Sequence, residues 1–168
     1  AMDEAGIRDD LFRRFAEACA AAGDPAALAA AANDLEAQVA GAGVPDGLRA
    51  EVLEAYHRLG PAACVAVRSS ATAEDTAGLS FAGMHETFTN VVGDQDVIDQ
   101  IVACWRSLYG QRVISYRAAR GLTEEPSIAV VIQEQVAADR AGVLFTADPS
   151  TGERDRVVVE GAFGLGEV

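Results

Sequence analysis

Hydrophobic residues recur at helical spacing through the first third of the chain. Apolar side chains three or four positions apart predict amphipathic helices between residues 3 and 60. The recurring positions are Ile7, Leu11, Phe15, Ala18, Leu28, Ala32, Leu35, Val39, Leu48, Val52 and Tyr56. Asp24 followed by Pro25 is typical of a helix start, and Gly60–Pro61 is typical of a helix end. Because alanine favours helix, we interpret this region as helices that pack and carry no chemistry.

After residue 62 the pattern changes to short apolar runs with helices between them. The predicted strands are 63–68, 86–92, 128–136, 142–145 and 156–160. Apolar stripes predict helices over 97–109 and 112–120, the second ending at Gly121. The run Asp148-Pro149-Ser150-Thr151-Gly152 is a strong turn signal. These patterns predict an α+β fold with a helical segment over 1–62 and an α+β portion over 63–168.

Composition restricts the classes of function. The net charge of −13 argues against nucleic acid and anionic membrane surfaces as partners. No apolar run is long enough to cross a membrane, and no secretory signal is recognisable. Cys19, Cys64 and Cys104 are odd in number and lack metal-ligand spacing, which favours reduced thiols in a cytoplasmic protein.

The most informative chemistry lies between residues 65 and 88. An apolar run ends at Arg68, which is followed by Ser69 and Ser70. Arginine offers a planar fork of donors that suits phosphate oxygens, and small residues let backbone amides approach an anion. The combination predicts a polyphosphate site. Ser69, Ser70 and Thr72 either donate to phosphate or form local bonds with the backbone.

Four segments together resemble the nucleotide-binding domain of the phosphoenolpyruvate synthase and pyruvate, phosphate dikinase family. They are 65–88, 129–136, 141–149 and 160–167. The resemblance extends from about Ala63 to Val168. The loop Ser80-Phe81-Ala82-Gly83 is more similar to the synthase and rifampicin phosphotransferase branch than to the dikinase branch, which usually has Met-Pro-Gly.

The resemblance implies a partial ATP-grasp-like nucleotide-binding domain, with ATP and Mg²⁺ as cofactors. Arg68 is the implied catalytic residue, which contacts the phosphates, while Gly83 belongs to a mobile loop above them. The implied ATP-binding residues are Arg68, Ser69, Ser70, Thr72, Gly83 and, through backbone groups at the adenine, Gln133, Glu134, Gln135 and Val136. Glu167 and, with less support, Glu160 are the implied magnesium ligands.

The resemblance also implies that the chain is a fragment of a longer enzyme. The family has a Gly-Gly-Lys segment near its start, whereas this chain has no lysine and all 13 of its basic residues are arginine. The implied partners are the nucleotide, an N-terminal lobe, a phosphohistidine domain and an acceptor domain. We expect the chain alone to be inactive, because the groups that position the reactants lie elsewhere.

The function implied for the parent protein is that of a phosphoenolpyruvate synthase. This reaction converts ATP, pyruvate and water to phosphoenolpyruvate, AMP and phosphate through a phosphohistidine. A rifampicin phosphotransferase or a pyruvate, phosphate dikinase is the alternative within the family. A non-catalytic nucleotide-binding remnant or interaction module is the alternative of a different class.

Overall fold

The computed structural model describes residues 1–60, 62–71, 86–122 and 124–166. Its helices are α1 (Arg8–Ala20), α2 (Pro25–Ala42), α3 (Asp46–His57), α4 (Asp94–Ser107) and α5 (Gln111–Ala119). Its strands are β1 (Val65–Ala71), β2 (Thr87–Val91), β3 (Ile128–Glu134), β4 (Arg140–Phe145) and β5 (Val158–Phe163). The α+β class predicted from the sequence is confirmed. The chain forms two compact units, Ala1–Glu134 and Gln135–Val168.

The helix boundaries follow from the residues that cap them. The Asp24 carboxylate accepts hydrogen bonds from the backbone N–H groups of Ala26 and Ala27 at 2.9 and 3.2 Å, and Pro25 is the first helical residue. Gly43, with φ of 62°, follows α2, and Gly121, with φ of 64°, lies just beyond α5. The predicted helix start at Pro25 and the predicted helix end near Gly121 are therefore confirmed.

The first unit contains a three-stranded antiparallel sheet in the order β2-β1-β3. Val65 and Val67 are fully buried on the face of β1 that α4 covers. Because side chains alternate along a strand, Arg68 lies on the opposite, outer face, where it is exposed. The alternation of β1 therefore separates the core from a polar surface.

Two hydrophobic clusters join the early helices to the rest of the first unit. One contains Phe15 of α1 and Tyr109, whose rings meet edge to face with centroids 5.7 Å apart. The other contains Tyr56 of α3 together with residues of β1, β2 and α4. The Tyr56 hydroxyl donates to the Ala63 carbonyl at 2.8 Å and accepts from the Gly93 N–H at 2.9 Å.

The boundary between the compact units follows Glu134. The division at residue 62 that the sequence predicts stays a prediction.

β2 departs from the simple alternation of inward and outward side chains that a regular strand shows. Val65 pairs with Val91, but Val67 pairs with Phe88, so β2 contains one extra residue, as in a β-bulge. Asn90 lies at this point with φ of 58°, a conformation that asparagine tolerates better than most residues. As a result Phe88 and Val91, three positions apart, both contact the same core cluster.

The second unit is a two-stranded antiparallel sheet of β4 and β5. The predicted turn at Asp148 is confirmed, since its carboxylate accepts from the N–H groups of Ser150 and Thr151 at 2.8 and 3.2 Å. The last strand was predicted over 156–160 but spans Val158–Phe163, because its pairing with β4 continues to Phe163 opposite Arg140. Glu160 therefore lies inside a strand and not at its end.

None of the helices in the described ranges combines the length and the apolar character that crossing a bilayer requires.

Candidate functional site

Arg68 and Gln133 meet on the outer face of the three-stranded sheet. In the β1–β3 register Arg68 lies opposite Val131, and Ala66 lies opposite Gln133, so Arg68 and Gln133 are diagonal neighbours on one face. The Arg68 Nη1 group donates to Gln133 Oε1 at 3.4 Å, and both side chains are exposed. Among the described residues no carboxylate forms an ion pair with Arg68. The structure thus brings together two residues that the sequence analysis proposed separately.

The two serines that follow Arg68 lie in different surroundings. The Ser69 hydroxyl donates to the Glu86 carbonyl at 3.0 Å, and the Ser69 N–H donates to the same oxygen at 3.2 Å. Of the two roles considered for Ser69, the structure therefore shows the bond with the backbone. Ser70 is exposed and lies on the Arg68 face by alternation. Thr72 and Gly83 lie outside the described residues.

The four residues expected to contact adenine lie on both sides of the boundary between the compact units. Gln133 and Glu134 end β3 in the first unit, and Gln135 and Val136 begin the second. The side chain of Val136 is 77% exposed, and its carbonyl accepts from the Ala138 N–H at 2.9 Å. Backbone bonds from these four residues to adenine stay a prediction.

The described residues do not assemble a metal-binding cluster. Among them no group of three or more His, Cys, Asp or Glu side chains lies close enough to hold a metal ion. Glu160 is exposed in β5 opposite Val143, and Glu167 lies outside the described residues. Of the two predicted magnesium ligands, the described part of the chain therefore contains Glu160 alone, and the predicted pairing with Glu167 stays a prediction.

The β4–β5 sheet presents features that the sequence analysis missed. Gly142 pairs with Gly161, and a Cβ atom at Gly142 would overlap the Glu160 carbonyl oxygen. Beside this pair the Arg140 guanidinium lies over the Phe163 ring, 5.4 Å from its centroid. A cavity of about 440 Å³ adjoins these residues. The paired glycines were visible as Ala141-Gly142 and Gly161-Ala162, but only the strand register shows that they face each other.

Seven large apolar side chains among the described residues of the second unit are exposed. They are Val136, Val143, Leu144, Phe145, Val157, Val159 and Phe163. Five of them lie in β4 or β5, and in the β4–β5 register these five occupy both faces of the sheet. This surface is unusual for a sheet, since one face is normally packed on a core.

Three ionisable groups whose pKa is shifted by burial lie in the core of the first unit, away from the Arg68 face. Burial raises the pKa of the Cys104 thiol to about 11 and that of the Tyr109 hydroxyl to about 12. Burial also lowers the pKa of Arg117, whose guanidinium lies 5.6 Å from the Phe15 centroid and donates to the Glu124 carbonyl. Within the described part of the chain the Arg117 Nε has no hydrogen-bond partner. We interpret these three groups as structural.

Comparison with known proteins identifies relatives of the whole chain. Residues 1–168 match the family model of the pyruvate phosphate dikinase AMP/ATP-binding domain. A probable phosphoenolpyruvate synthase of Methanothermobacter thermautotrophicus is 47% identical over 130 residues, which are 74% of this chain and 19% of that protein. A rifampicin phosphotransferase of a Streptomyces species is 41% identical over 146 residues, 86% of this chain and 17% of that protein.

A third relative matches nearly the full chain. The prodigiosin synthesizing transferase PigC of Serratia marcescens is 38% identical over 163 residues, which are 96% of this chain and 18% of that protein. The chain therefore spans less than a fifth of the length of these three relatives.

Proposed function

Because the chain belongs to the pyruvate phosphate dikinase AMP/ATP-binding domain family, we propose that it binds ATP and that Arg68 holds the phosphates. The observation that carries this assignment is the placement of Arg68, exposed on the outer sheet face and held by an amide. A guanidinium in this state can bind two phosphate oxygens at once. Ser70, exposed on the same face, supplies a hydroxyl donor beside it.

The proposed role of these residues is to position the phosphates and to offset their charge. Phosphoryl transfer depends mainly on positioning and on electrostatic stabilisation, because the protein does little covalent chemistry. Mg²⁺, for which Glu160 and Glu167 are the predicted ligands, would offset the negative charge of the phosphates. The assignments of Thr72 and Gly83 to the phosphates and of Glu160 and Glu167 to the metal stay predictions.

We place this site in a longer phosphotransferase of the phosphoenolpyruvate synthase type. In such a protein an ATP-grasp-like arrangement would hold the nucleotide, and a histidine of another domain would receive the phosphoryl group before it passes to pyruvate. The names of several relatives support the synthase assignment. We further propose that the protein is cytoplasmic, as its three widely spaced cysteines favour.

A second candidate acceptor is rifampicin. The Streptomyces relative named as a rifampicin phosphotransferase covers more of this chain than the Methanothermobacter synthase does, although at lower identity. Both reactions use ATP, so the candidates share the Arg68 assignment and differ only in the acceptor. An assay of the longer protein with pyruvate and with rifampicin would separate them.

Substitution of Arg68 tests the proposed function directly. In the longer protein we expect Arg68→Ala to lower ATP-dependent protein phosphorylation by roughly two or more orders of magnitude, the loss typical of removing a preorganised charge stabiliser. Arg68→Lys should restore only part of the rate, because an ammonium group cannot form the same fork. In this chain alone we expect ATP affinity on the order of millimolar or weaker, because ligand sites normally bury most of their ligand whereas Arg68, Ser70 and Gln133 are all exposed.

The control is Arg58→Ala, which removes an exposed arginine that pairs with Glu54 on α3. This variant should behave as the wild type in the same assay. Thermal stability should change by less than about 0.5 kcal/mol in all three variants. If Arg68→Ala unfolds the chain while the protein that remains folded is phosphorylated normally, Arg68 is structural and the assignment is wrong.

A further inference from the structure

We propose that Gln133 is a positioning residue for Arg68, which it holds through a neutral amide so that the positive charge of Arg68 stays available to phosphate. This inference rests on the proposed function, because it concerns the same site. It assigns to the Gln133 side chain a role distinct from the backbone role considered for residues 133–136. Its basis is the Arg68–Gln133 contact, the regular β1–β3 pairing, and the charge of the surrounding protein.

The backbone beneath the contact is well defined. Every residue of β1 has a partner on β3, from Val65 opposite Glu134 to Ala71 opposite Ile128. Val65 and Val67 are fully buried on the inner face and fix the phase of β1. A slip of one residue would expose both valines, so the register is strongly specified. The diagonal placement of Arg68 and Gln133 is therefore a property of the sheet and not of a flexible loop.

The partner of Arg68 differs from the partners of six of the twelve other arginines in the chain. In the described structure carboxylates form ion pairs with Arg8, Arg13, Arg14, Arg58, Arg106 and Arg156. The chain has twice as many acidic as basic residues, 26 against 13. On the outer sheet face, however, the group among the described residues that accepts from Arg68 is an amide oxygen. A bound carboxylate would compete with phosphate for the same fork, whereas an amide occupies one donor and adds no negative charge.

The neighbouring residue shows why the position of the amide matters. Glu134 follows Gln133 directly and carries a carboxylate, but alternation places it on the other face, opposite Val65. The strand therefore presents the amide to Arg68 and directs the carboxylate away. We infer that this arrangement orients the guanidinium while preserving its attraction for an anion.

Substitutions at Gln133 separate this role from a purely structural one. NMR titration of the ¹⁵N-labelled chain measures the affinity for magnesium ATP, tripolyphosphate and adenosine in the wild type, Gln133→Glu and Gln133→Met. If Gln133 only orients Arg68, Gln133→Glu binds phosphates at least as well as Gln133→Met, because a carboxylate holds arginine more strongly. If the neutral amide matters, Gln133→Glu is the weaker variant.

We expect Gln133→Met to weaken binding of ATP and tripolyphosphate roughly twofold to threefold, and Gln133→Glu roughly threefold to tenfold, as introduced surface charge would. Adenosine affinity should not change, because adenosine carries no phosphate. The matched control is Gln95→Glu. Gln95 is also exposed and accepts from an arginine, Arg49, at 3.2 Å, so the control makes the same change of charge away from the sheet.

The outcomes distinguish the two proposals. If the wild type binds neither ATP nor tripolyphosphate, or if Arg68→Ala leaves both affinities unchanged, the proposed function fails for this chain and the inference fails with it. If Arg68→Ala weakens binding but Gln133→Glu matches the wild type or Gln95→Glu, only the inference is overturned. A loss of adenosine binding in Gln133→Glu would also overturn it, since the effect would not be specific to phosphate.

Discussion

At the scale of single residues, the buried thiol of Cys104 lies apart from the candidate site at Arg68. Cys104 is fully buried and its Sγ lies 4.0 Å from the Glu86 carbonyl oxygen, while Arg68 is exposed on the other side of the sheet. A strongly shifted pKa often marks a functional group, but a buried thiol with no charged partner that favours its ionised form is inert. The raised pKa of Cys104 therefore affects the pH dependence of stability and indicates no catalytic role.

We expect the free energy of unfolding to fall as the pH rises from about 9 to about 11. The pKa of Cys104 is raised from 9.0 to about 11 by burial, so the unfolded chain loses this proton first and ionisation favours unfolding. Burial also raises the pKa of Tyr109 from 10.0 to about 12, so ionisation of this hydroxyl likewise favours unfolding. Urea denaturation at pH 8 and at pH 10.5 measures the change.

The Cys104→Ala variant should show a smaller fall between these two pH values than Cys64→Ala, because Cys64 is only partly buried. Equal falls in the two variants would show that the Cys104 thiol does not contribute.

At the scale of elements, the helices were more predictable than the strands. The start of α2 and the end of α5 lie within one residue of prediction, because Asp24 and Gly121 act through nearby backbone groups. The end of β5 and the bulge in β2 depend on partners distant in sequence, which periodicity does not contain. For the same reason Arg68 could be proposed from its own segment, whereas its contact with Gln133 required the register of two strands 65 residues apart.

The paired glycines of β4 and β5 allow a matched test of close approach. A Cβ at Gly142 would overlap the Glu160 carbonyl, whereas a Cβ at Gly161 would lie 3.7 Å from the nearest atom, the Ala141 carbonyl oxygen. We expect Gly142→Ala to destabilise this sheet by roughly 1–3 kcal/mol, as overpacking does, and Gly161→Ala to be near neutral. NMR Cα and Cβ chemical shifts of β4 and β5 report the strand population. Equal shifts in the two variants would contradict the close approach.

At the scale of the whole molecule, the buried hydrophobic residues of the described structure all belong to the first unit. Both clusters draw only on residues of Ala1–Glu134, and no described residue of 135–166 is buried. A two-stranded sheet is at best marginally stable alone. The second unit therefore depends on contacts beyond its own strands, while the first unit has its own core.

We expect residues 1–134 to fold without the second unit. Because both clusters remain complete, the shortened chain should unfold cooperatively with a midpoint within about 2–4 °C of the full chain, a shift that corresponds to about 1 kcal/mol at most. Residues 135–168 alone should give the circular dichroism of an unfolded peptide. Thermal unfolding followed at 222 nm measures both. A shortened chain that melts without cooperativity would show that the first unit needs the second.

The bulge in β2 has a consequence for how this strand can change during evolution. Without Asn90, Thr89 would lead directly to Val91, and the order Phe88, Thr89, Val91 would alternate regularly with both apolar residues still directed at the core. Loss of a residue inside a strand normally inverts every side chain beyond it. Here deletion of Asn90 would instead leave a regular strand with Phe88 and Val91 directed at the core. This strand is thus a place where homologous proteins can differ in length by one residue and keep the same core.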